Sequence, residues 1–398
     1  MKVLQINCVY NYGSTGKIVF DIHNALIEKG IESVVCYGRG KRVKEPNIYK
    51  VSTEFGGKVH SVFSRIFGVD FGFSPFATAK TIKIIKKEQP DVVHLHCLNG
   101  HFINVYKLVE FLKNSGIKTV LTLHAEIMHT AGCEHAMECE KWKTECFDCP
   151  KIRGKISRFF RDDAKYCFNR MKKAFDGFDN LTVVGVSEWL TKRAEQSPIF
   201  KDCQYVTVHN GIDTDVFHYT ESNIRESLGI DKNEKLILHV TPNFRHLIKG
   251  GKYVLDLINR MPDYRFVIVG KGTENIAFPE NVKTIPFTKN KQELAELYSS
   301  ADCCIITSLN ETFSMVAAEA NCCGTKVVAF SVGGVPEAII SGMGEVVLPF
   351  EIDSFICAVD KCSNLKADNE NILFANIQNS KERMLSEYIY LYQNNNWR

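Results

Sequence analysis

The feature that most restricts this chain is an alternation of short, β-branched apolar runs with longer amphipathic stretches, sustained through almost the whole sequence. Apolar runs bounded by turn residues read as buried strands. A helical period between them marks repeated βαβ units around parallel sheets. Two series can be followed. In the first, KVLQIN from Lys2, SVVCYG from Ser33, DVVHLH from Asp91, KTVLTLH from Lys118 and LTVVGVS from Leu181 are expected strands. Helices are expected near residues 16–29 and 102–114. In the second, KLILHVT from Lys235, YRFVIVG from Tyr264, VKTIPF from Val282, DCCIITS from Asp302, KVVAFS from Lys326 and GEVVLP from Gly344 play the same part.

The chain has 398 residues, more than a single hydrophobic core usually organises. Each series is therefore expected to form its own Rossmann-like domain: residues 1–209, then 210–375, meeting at the Asn-Gly turn of VHNGID. The periodic tail 376–398 is expected to be a helix packing across both. With 45% hydrophobic and 24% charged residues the composition is that of an ordinary globular protein. It contains no long uncharged apolar run suited to a membrane span. The first residues read as a strand, not a secretory signal, so a cytoplasmic setting is expected. A net charge of +3 excludes strong global attraction to nucleic acid. Fifteen cysteines in a large chain without a signal are expected to be reduced thiols.

In open α/β sheets, ligands bind beyond the carboxyl ends of the strands. Four such ends carry suggestive residues. After the first strand, Asn11-Tyr12-Gly13-Ser14-Thr15-Gly16-Lys17 would let backbone amides approach a phosphate, though a plain tight turn fits equally well. It lacks the glycine and hydroxyl residue that a Walker motif needs at its two ends. His124 closes the fourth expected strand, with His94 and His96 ending its neighbour. Position favours His124 for ligand contact and a structural role for the other two, His96 being the better candidate of that pair. After KLILHVT, Arg245 and Lys249 enter a glycine-bearing helix start, a combination suited to a pyrophosphate; a solvated basic loop is the bland alternative. The fourth end runs from Ser308 through Glu311, Thr312, Phe313, Ser314 and Met315 to Glu319. Glu319 lies among alanines on a partly buried face and so needs a partner, a ligand's hydroxyl pair or a neighbouring backbone.

These residues resemble the retaining glycosyltransferases of family four, which have the GT-B fold, and among them bacterial capsule and exopolysaccharide enzymes. The resemblance covers nearly the whole chain. It rests on the Glu-x7-Glu spacing of Glu311 and Glu319, on VHNGID from Val208, on Arg245 with Lys249-Gly250, and on the Gly333-Gly334-Val335-Pro336-Glu337 turn. It implies an α/β architecture of two Rossmann-like domains facing a central cleft. Within it, Arg245 and Lys249 would bind the donor diphosphate, Glu319 the ribose hydroxyls and Glu311 the transferred sugar. His124 would reach that sugar from the other domain. The first loop, Gly13 to Gly16, would line the donor site, and the base would lie near Gly270, Gly272 and Phe287. Two departures stand out: Ala125-Glu126 follow His124 where the family often has Asp, and Ser314 follows Phe313 where Gly is usual.

The implied activity is transfer of a sugar from a nucleoside diphosphate to a glycan or lipid-linked acceptor in polysaccharide synthesis, with retention and with no metal or other cofactor in catalysis. Cations and helix amides would stabilise the departing phosphate. The acceptor would attack from the leaving-group face, and Glu311 would position the sugar without forming a covalent bond. A nucleotide-sugar epimerase and an inert sugar-nucleotide-binding protein are the rival readings.

Two features fall outside the donor site. Cys133, Cys139, Cys146 and Cys149 lie in one insert, about 125–153, and would suit a structural zinc, with disulfides or plain packing as alternatives. The stretch 153–175 mixes Arg153, Lys155, Arg158, Arg161, Arg170, Lys172 and Lys173 with Phe159, Phe160 and Phe168. Such a basic amphipathic helix would lie on anionic lipid at the inner face of the plasma membrane, or would simply present a solvated face.

Overall fold

The structure, a computed structural model, describes residues 1–149 and 162–394. The chain divides into two compact units, Met1–Val208 with Leu385–Arg398, and His209–Met384. In the first unit β1 (Lys2–Asn7), β2 (Glu32–Tyr37), β3 (Ile48–Lys50), β4 (Val92–Leu95), β5 (Lys118–Leu123), β6 (Leu181–Gly185) and β7 (Gln204–Thr207) form one sheet. All its pairings are parallel, in the order β3-β2-β1-β4-β5-β6-β7. Around it lie α1 (Gly13–Glu28), α2 (Glu54–Phe67), α3 (Pro75–Glu88), α4 (Val105–Ser115), α5 (Asp163–Phe175) and α6 (Glu188–Glu195).

The second unit repeats the plan. β8 (Leu236–Asn243), β9 (Arg265–Lys271), β10 (Val282–Ile285), β11 (Cys303–Ile306), β12 (Val327–Phe330) and β13 (Gly344–Val347) pair in the order β10-β9-β8-β11-β12-β13, again all parallel. Its helices are α7 (Ile224–Ser227), α8 (Gly251–Arg260), α9 (Lys291–Ser300), α10 (Met315–Cys322), α11 (Val335–Ala338), α12 (Ile352–Ser363), α13 (Asn369–Gln378) and α14 (Lys381–Gln393). The last helix begins in this unit, and from Leu385 onward belongs to the first.

Both units are Rossmann-like for the reason the sequence gives: parallel strands are covered on both faces and must be apolar throughout. Every residue of β4, β6, β11 and β12 is buried. In the second unit Ile237, Phe266 and Ile305 pack with Val254 and Leu257 of α8 and Phe355 of α12. Burial of each such side chain contributes about 1.5–3 kcal/mol. All eleven expected strands are present. The two that escaped, β3 and β7, are short edge strands carrying too little apolar sequence to stand out.

In each sheet the strand order reverses about its first strand, between β1 and β4 and between β8 and β11. Those reversals open crevices at the carboxyl ends, where a ligand enters without displacing core.

One helix breaks the usual pattern. α2 buries Gly57, His60 and Ser64 while Phe55, Val62, Phe63, Ile66 and Phe67 face solvent, Phe55 being 77% exposed. α5 is conventional, with Phe168, Met171 and Phe175 fully packed inside the unit. Of the three aromatic residues that the sequence suggested for lipid, Phe168 is core, and Phe159 and Phe160 lie outside the described residues. What α5 offers outward is charge. The remainder of that basic stretch, from Arg153 to Arg161, lies outside the described residues.

Candidate active site

In the second unit the reversal brings the β8 and β11 ends together. Lys249 sits in the single 3-10 turn Leu247–Lys249 that leads into α8. Its ammonium donates to Glu311 Oε1 at 2.7 Å, and Ser308 Oγ donates to the same oxygen at 2.9 Å. Backbone bonds clamp the two loops: Leu309 N–H donates to Ile248 O at 2.7 Å, and Thr307 Oγ1 to Gly250 O at 3.1 Å. The approach is so close that a Cβ on Gly250, at φ +70°, would stand 1.8 Å from Thr307 O. Only glycine fits there. On the far side of Glu311, its carbonyl accepts from Gly334 N–H at 2.9 Å, and a Cβ on Gly333 would meet that carbonyl oxygen at 1.9 Å. The Gly-Gly turn thus holds the Glu311 backbone from behind.

Arg245 is exposed. It donates from Nε to Gly272 O at 2.9 Å and from Nη2 to Glu274 O. Two of its N–H donors are thereby committed to the loop after β9, and the fork is fixed in direction by the strand next to its own. Gly270 and Gly272 end β9 on the same side. Phe287 follows β10 and is 73% exposed, an unpacked ring near that end.

α10 starts at Met315, with Ser314 Oγ accepting from Ala317 N–H at 3.3 Å and no acidic side chain in its first turn. The cap commits Ser314 to the helix, while Phe313 is buried and stacks on His209 at 5.5 Å. Both side chains thus have partners within the unit. The amides from Thr312 to Met315 are what this helix end can present to an anion. Further along α10, Glu319 Oε2 accepts from Tyr298 Oη at 3.0 Å. Part of the residue remains open to solvent, but its carboxyl is enclosed enough that burial raises it to about 7. Tyr298 and, more weakly, Lys291 act in the opposite direction.

Tyr298 was not among the residues expected at the site; its only sequence signal is the buried face of α9 that it shares with Ala295 and Leu297. Nearby strand-end polar atoms were missed as well. Among the described residues, His239 Nε2, Thr241 Oγ1 and Asn310 Oδ1 are buried without a hydrogen-bond partner. Such atoms carry a desolvation penalty that a polar ligand would relieve.

In the first unit, Asn11 at φ +52° and Gly13 at φ +64° turn the chain from β1 into α1, and Gly16 is buried in the first turn. Lys17 is paired with Asp21 along the helix at 2.9 Å. His124, at the end of β5, is partly exposed, and its Nε2 lies 3.3 Å from His96 Nδ1. Burial pushes His124 down to about 4, so it is neutral near pH 7.

Glu126, two residues beyond His124, is tied into the insert. It is fully buried, bonded to Arg193 Nε at 2.7 Å and to Ala136 N–H at 2.8 Å, with His129 3.6 Å away. Burial alone would raise its carboxyl. His129, the Ala136 amide and Arg193 outweigh that and hold it below its ordinary value. Arg193 also covers the ring of Trp142, which is buried and donates to Cys139 O at 2.7 Å.

That network secures the long insert. Its four cysteines are half-buried, and no disulfide links any of the fifteen cysteines of the chain, all of which are described. Burial, reinforced by Cys133, Cys139 and Cys149, pushes Cys146 up to about 12. Among the described residues no group of three or more His, Cys, Asp or Glu side chains is arranged to hold a metal ion. The zinc expectation is therefore not carried by this geometry. A buried tryptophan and a buried ion pair tie the insert to the unit.

Two Rossmann-like units with cations and carboxylates at their strand ends define the GT-B class of glycosyltransferase. Residues 15–216 match the family described as Glycosyltransferase Family 4, and residues 220–378 match Glycosyl transferases group 1. The chain belongs to glycosyltransferase family 4.

Among its relatives is the N-acetyl-alpha-D-glucosaminyl L-malate synthase of Bacillus anthracis, 25% identical, with 85% of this chain and 81% of that one covered. Another is the putative colanic acid biosynthesis glycosyl transferase WcaC of Escherichia coli K12, 24% identical over 99% of this chain and all of that one. Of solved structures, a glycosyltransferase from Rickettsia africae superposes with a TM-score of 0.70 at 16% identity, covering 98% and 97% of the two chains. Anabaena HepE in complex with UDP and glucose gives 0.65 at 15% identity, covering 99% of each.

Proposed function

We propose that the chain is a retaining, metal-independent glycosyltransferase that moves a sugar from a nucleoside diphosphate to a glycan or lipid-linked acceptor in polysaccharide synthesis. The observation that carries this reading is the pairing of Lys249 with Glu311 beside the N-terminus of α10, with Glu319 one helical face away. HepE is a fold neighbour crystallised with UDP and glucose, and WcaC is named for colanic acid synthesis; both support the substrate class.

Cleavage of the bond between sugar and diphosphate leaves negative charge on a phosphate oxygen. The unbonded donors of Arg245 and the amides at the start of α10 are already in place to meet it, and Lys249 joins them once Glu311 releases it. Glu319, once ionised, accepts from the ribose hydroxyls. Glu311 exchanges its bond with Lys249 for the sugar's hydroxyls, releasing the ammonium towards phosphate. Attack from the leaving-group face lets the departing oxygen take the acceptor's proton, and Glu311 acts by positioning.

A lipid-linked acceptor places the enzyme at a membrane surface. No described helix is long and apolar enough to cross a membrane. The outward Phe63, Ile66 and Phe67 of α2, together with exposed Lys58 and Arg65 on the same helix, suit the boundary of an anionic bilayer.

The test is a panel of uridine, guanosine and adenosine diphosphate sugars, read by thermal shift and then by transfer. One donor should raise the melting temperature, and Glu311→Ala should abolish transfer while nucleotide binding persists. Equal transfer by that variant would refute the role given to Glu311. Epimerised sugar formed without acceptor would favour the epimerase.

A further inference from the structure

We infer that Gln5 and His96 are positioning residues that lock His124 into one tautomer, with the proton on Nε2 and the lone pair on Nδ1. The inference rests on the reading of His124 as a sugar contact only for its consequence; the tautomer itself follows from the bonds alone.

The backbone carbonyl of Val19 lies 3.3 Å from Gln5 Nε2. A carbonyl requires a donor, so the amide of Gln5 must turn its NH2 to Val19 and its oxygen the other way. That oxygen lies 3.3 Å from His96 Nε2. It too can only accept, so Nε2 of His96 carries the proton. Both residues are buried, and burial, followed by His94 and His124, holds His96 well below its ordinary range. Being neutral, His96 has only a lone pair left at Nδ1. The atom facing that lone pair is His124 Nε2, at 3.3 Å, which must therefore donate. A neutral His124 is then an acceptor at Nδ1, whatever hydrogen bond it makes there.

The polarity is protected from the side. His94 packs against His96 with ring centroids 3.8 Å apart and planes inclined by 38°, and is itself bonded to Thr122 Oγ1 at 2.8 Å and Tyr392 Oη at 2.6 Å. Thr122 in turn meets Tyr388 Oη at 3.0 Å. A ring flip of His96 would strip Gln5 of its donor and disturb this contact. Three strands, β1, β4 and β5, thus pass one direction of hydrogen bonding from the α1 backbone to the strand end. A histidine set in this way can only accept at Nδ1 and cannot serve there as a donor.

The test is the tautomer of His124 in the full-length protein, read from imidazole nitrogen resonances by multiple-bond proton–nitrogen correlation near pH 7. Wild type should show a protonated Nε2 and an unprotonated Nδ1. His96→Gln preserves the polarity, since its amide can donate to Gln5 and accept from His124, and should keep that pattern. His96→Leu should average the two tautomers and lower kcat/KM for transfer by about tenfold, the scale of one lost hydrogen bond, with nucleotide affinity unchanged. Gln5→Leu is the second route should His96→Leu not fold. A protonated Nδ1 in wild type, or an unaltered pattern in both leucine variants, would overturn the inference. Since the resonances report the tautomer without turnover, a chain that proved inactive on every donor would refute the proposed function and leave this result standing.

Discussion

Glu319→Gln should make the ligand-free protein more stable and its nucleotide complex weaker. Burial raises this carboxyl from its ordinary 4.5 to about 7. A group whose folded pKa exceeds its unfolded value contributes stability that is complete below the unfolded pKa and lost as pH rises through the folded one. The window here runs from about pH 4.5 to about pH 7. Integrated across it, wild type loses roughly 1 kcal/mol by pH 5 and roughly 3 kcal/mol by pH 8. An amide of the same shape keeps a partner for Tyr298 and does not titrate. The variant should therefore match wild type at pH 4.5, then exceed it by about 3 kcal/mol at pH 8, or roughly 6–12 °C in melting temperature for a unit of this size. Thermal unfolding without ligand at several pH values measures the difference directly. Nucleotide affinity should move the other way, because an amide cannot present two acceptor oxygens to a pair of hydroxyls. A Glu319→Gln variant whose stability difference from wild type stayed constant across that pH range would refute the argument, since it would mean the carboxyl is not held uncharged by its surroundings.

Other consequences follow from single contacts. Lys249→Ala removes a cation and should lower kcat by about 10²–10³, seen in initial rates at saturating donor, with the fold intact by circular dichroism. Arg193→Ala leaves Glu126 buried without its cation and should destabilise the first unit by about 3–5 kcal/mol, measurable by urea unfolding; a loss within error of zero would contradict the tie described for the insert. Gly333→Ala must displace the Glu311 backbone, and should cost activity well beyond any loss of expression. Replacing Phe63, Ile66 and Phe67 with serine should abolish co-sedimentation with phosphatidylglycerol vesicles without changing nucleotide binding; unchanged sedimentation would remove α2 from the membrane proposal.

The strands were legible because a parallel sheet must be apolar on both faces, and eleven apolar runs recorded that demand; their order in the sheets came only with the structure. The edge strands β3 and β7 were not, since an edge needs few buried residues. At the site, Glu311 and Lys249 announced themselves as charges in the loops beyond apolar runs, and Glu319 as a carboxylate set among alanines. Tyr298 could not: its hydroxyl reaches Glu319 from another helix, and nothing in its own neighbourhood marks that partner. Phe313 and Ser314 were legible as neighbours of the site, but the stacking of Phe313 on His209 and the capping of α10 by Ser314 were not, because both depend on the fold. The insert was legible only in part: its four cysteines stand out in the sequence, whereas Glu126 and Arg193, separated by 67 residues, give no local sign of their ion pair.

The central claim is that the β8 and β11 ends of the second unit hold and activate a sugar nucleotide. Its most direct test is nucleoside diphosphate release from a panel of donors in the presence of acceptor, comparing wild type with Lys249→Ala and Glu311→Ala. The account predicts release from one donor by wild type and, from the same donor, almost none by either folded variant. Turnover by both variants at the wild-type rate would contradict it.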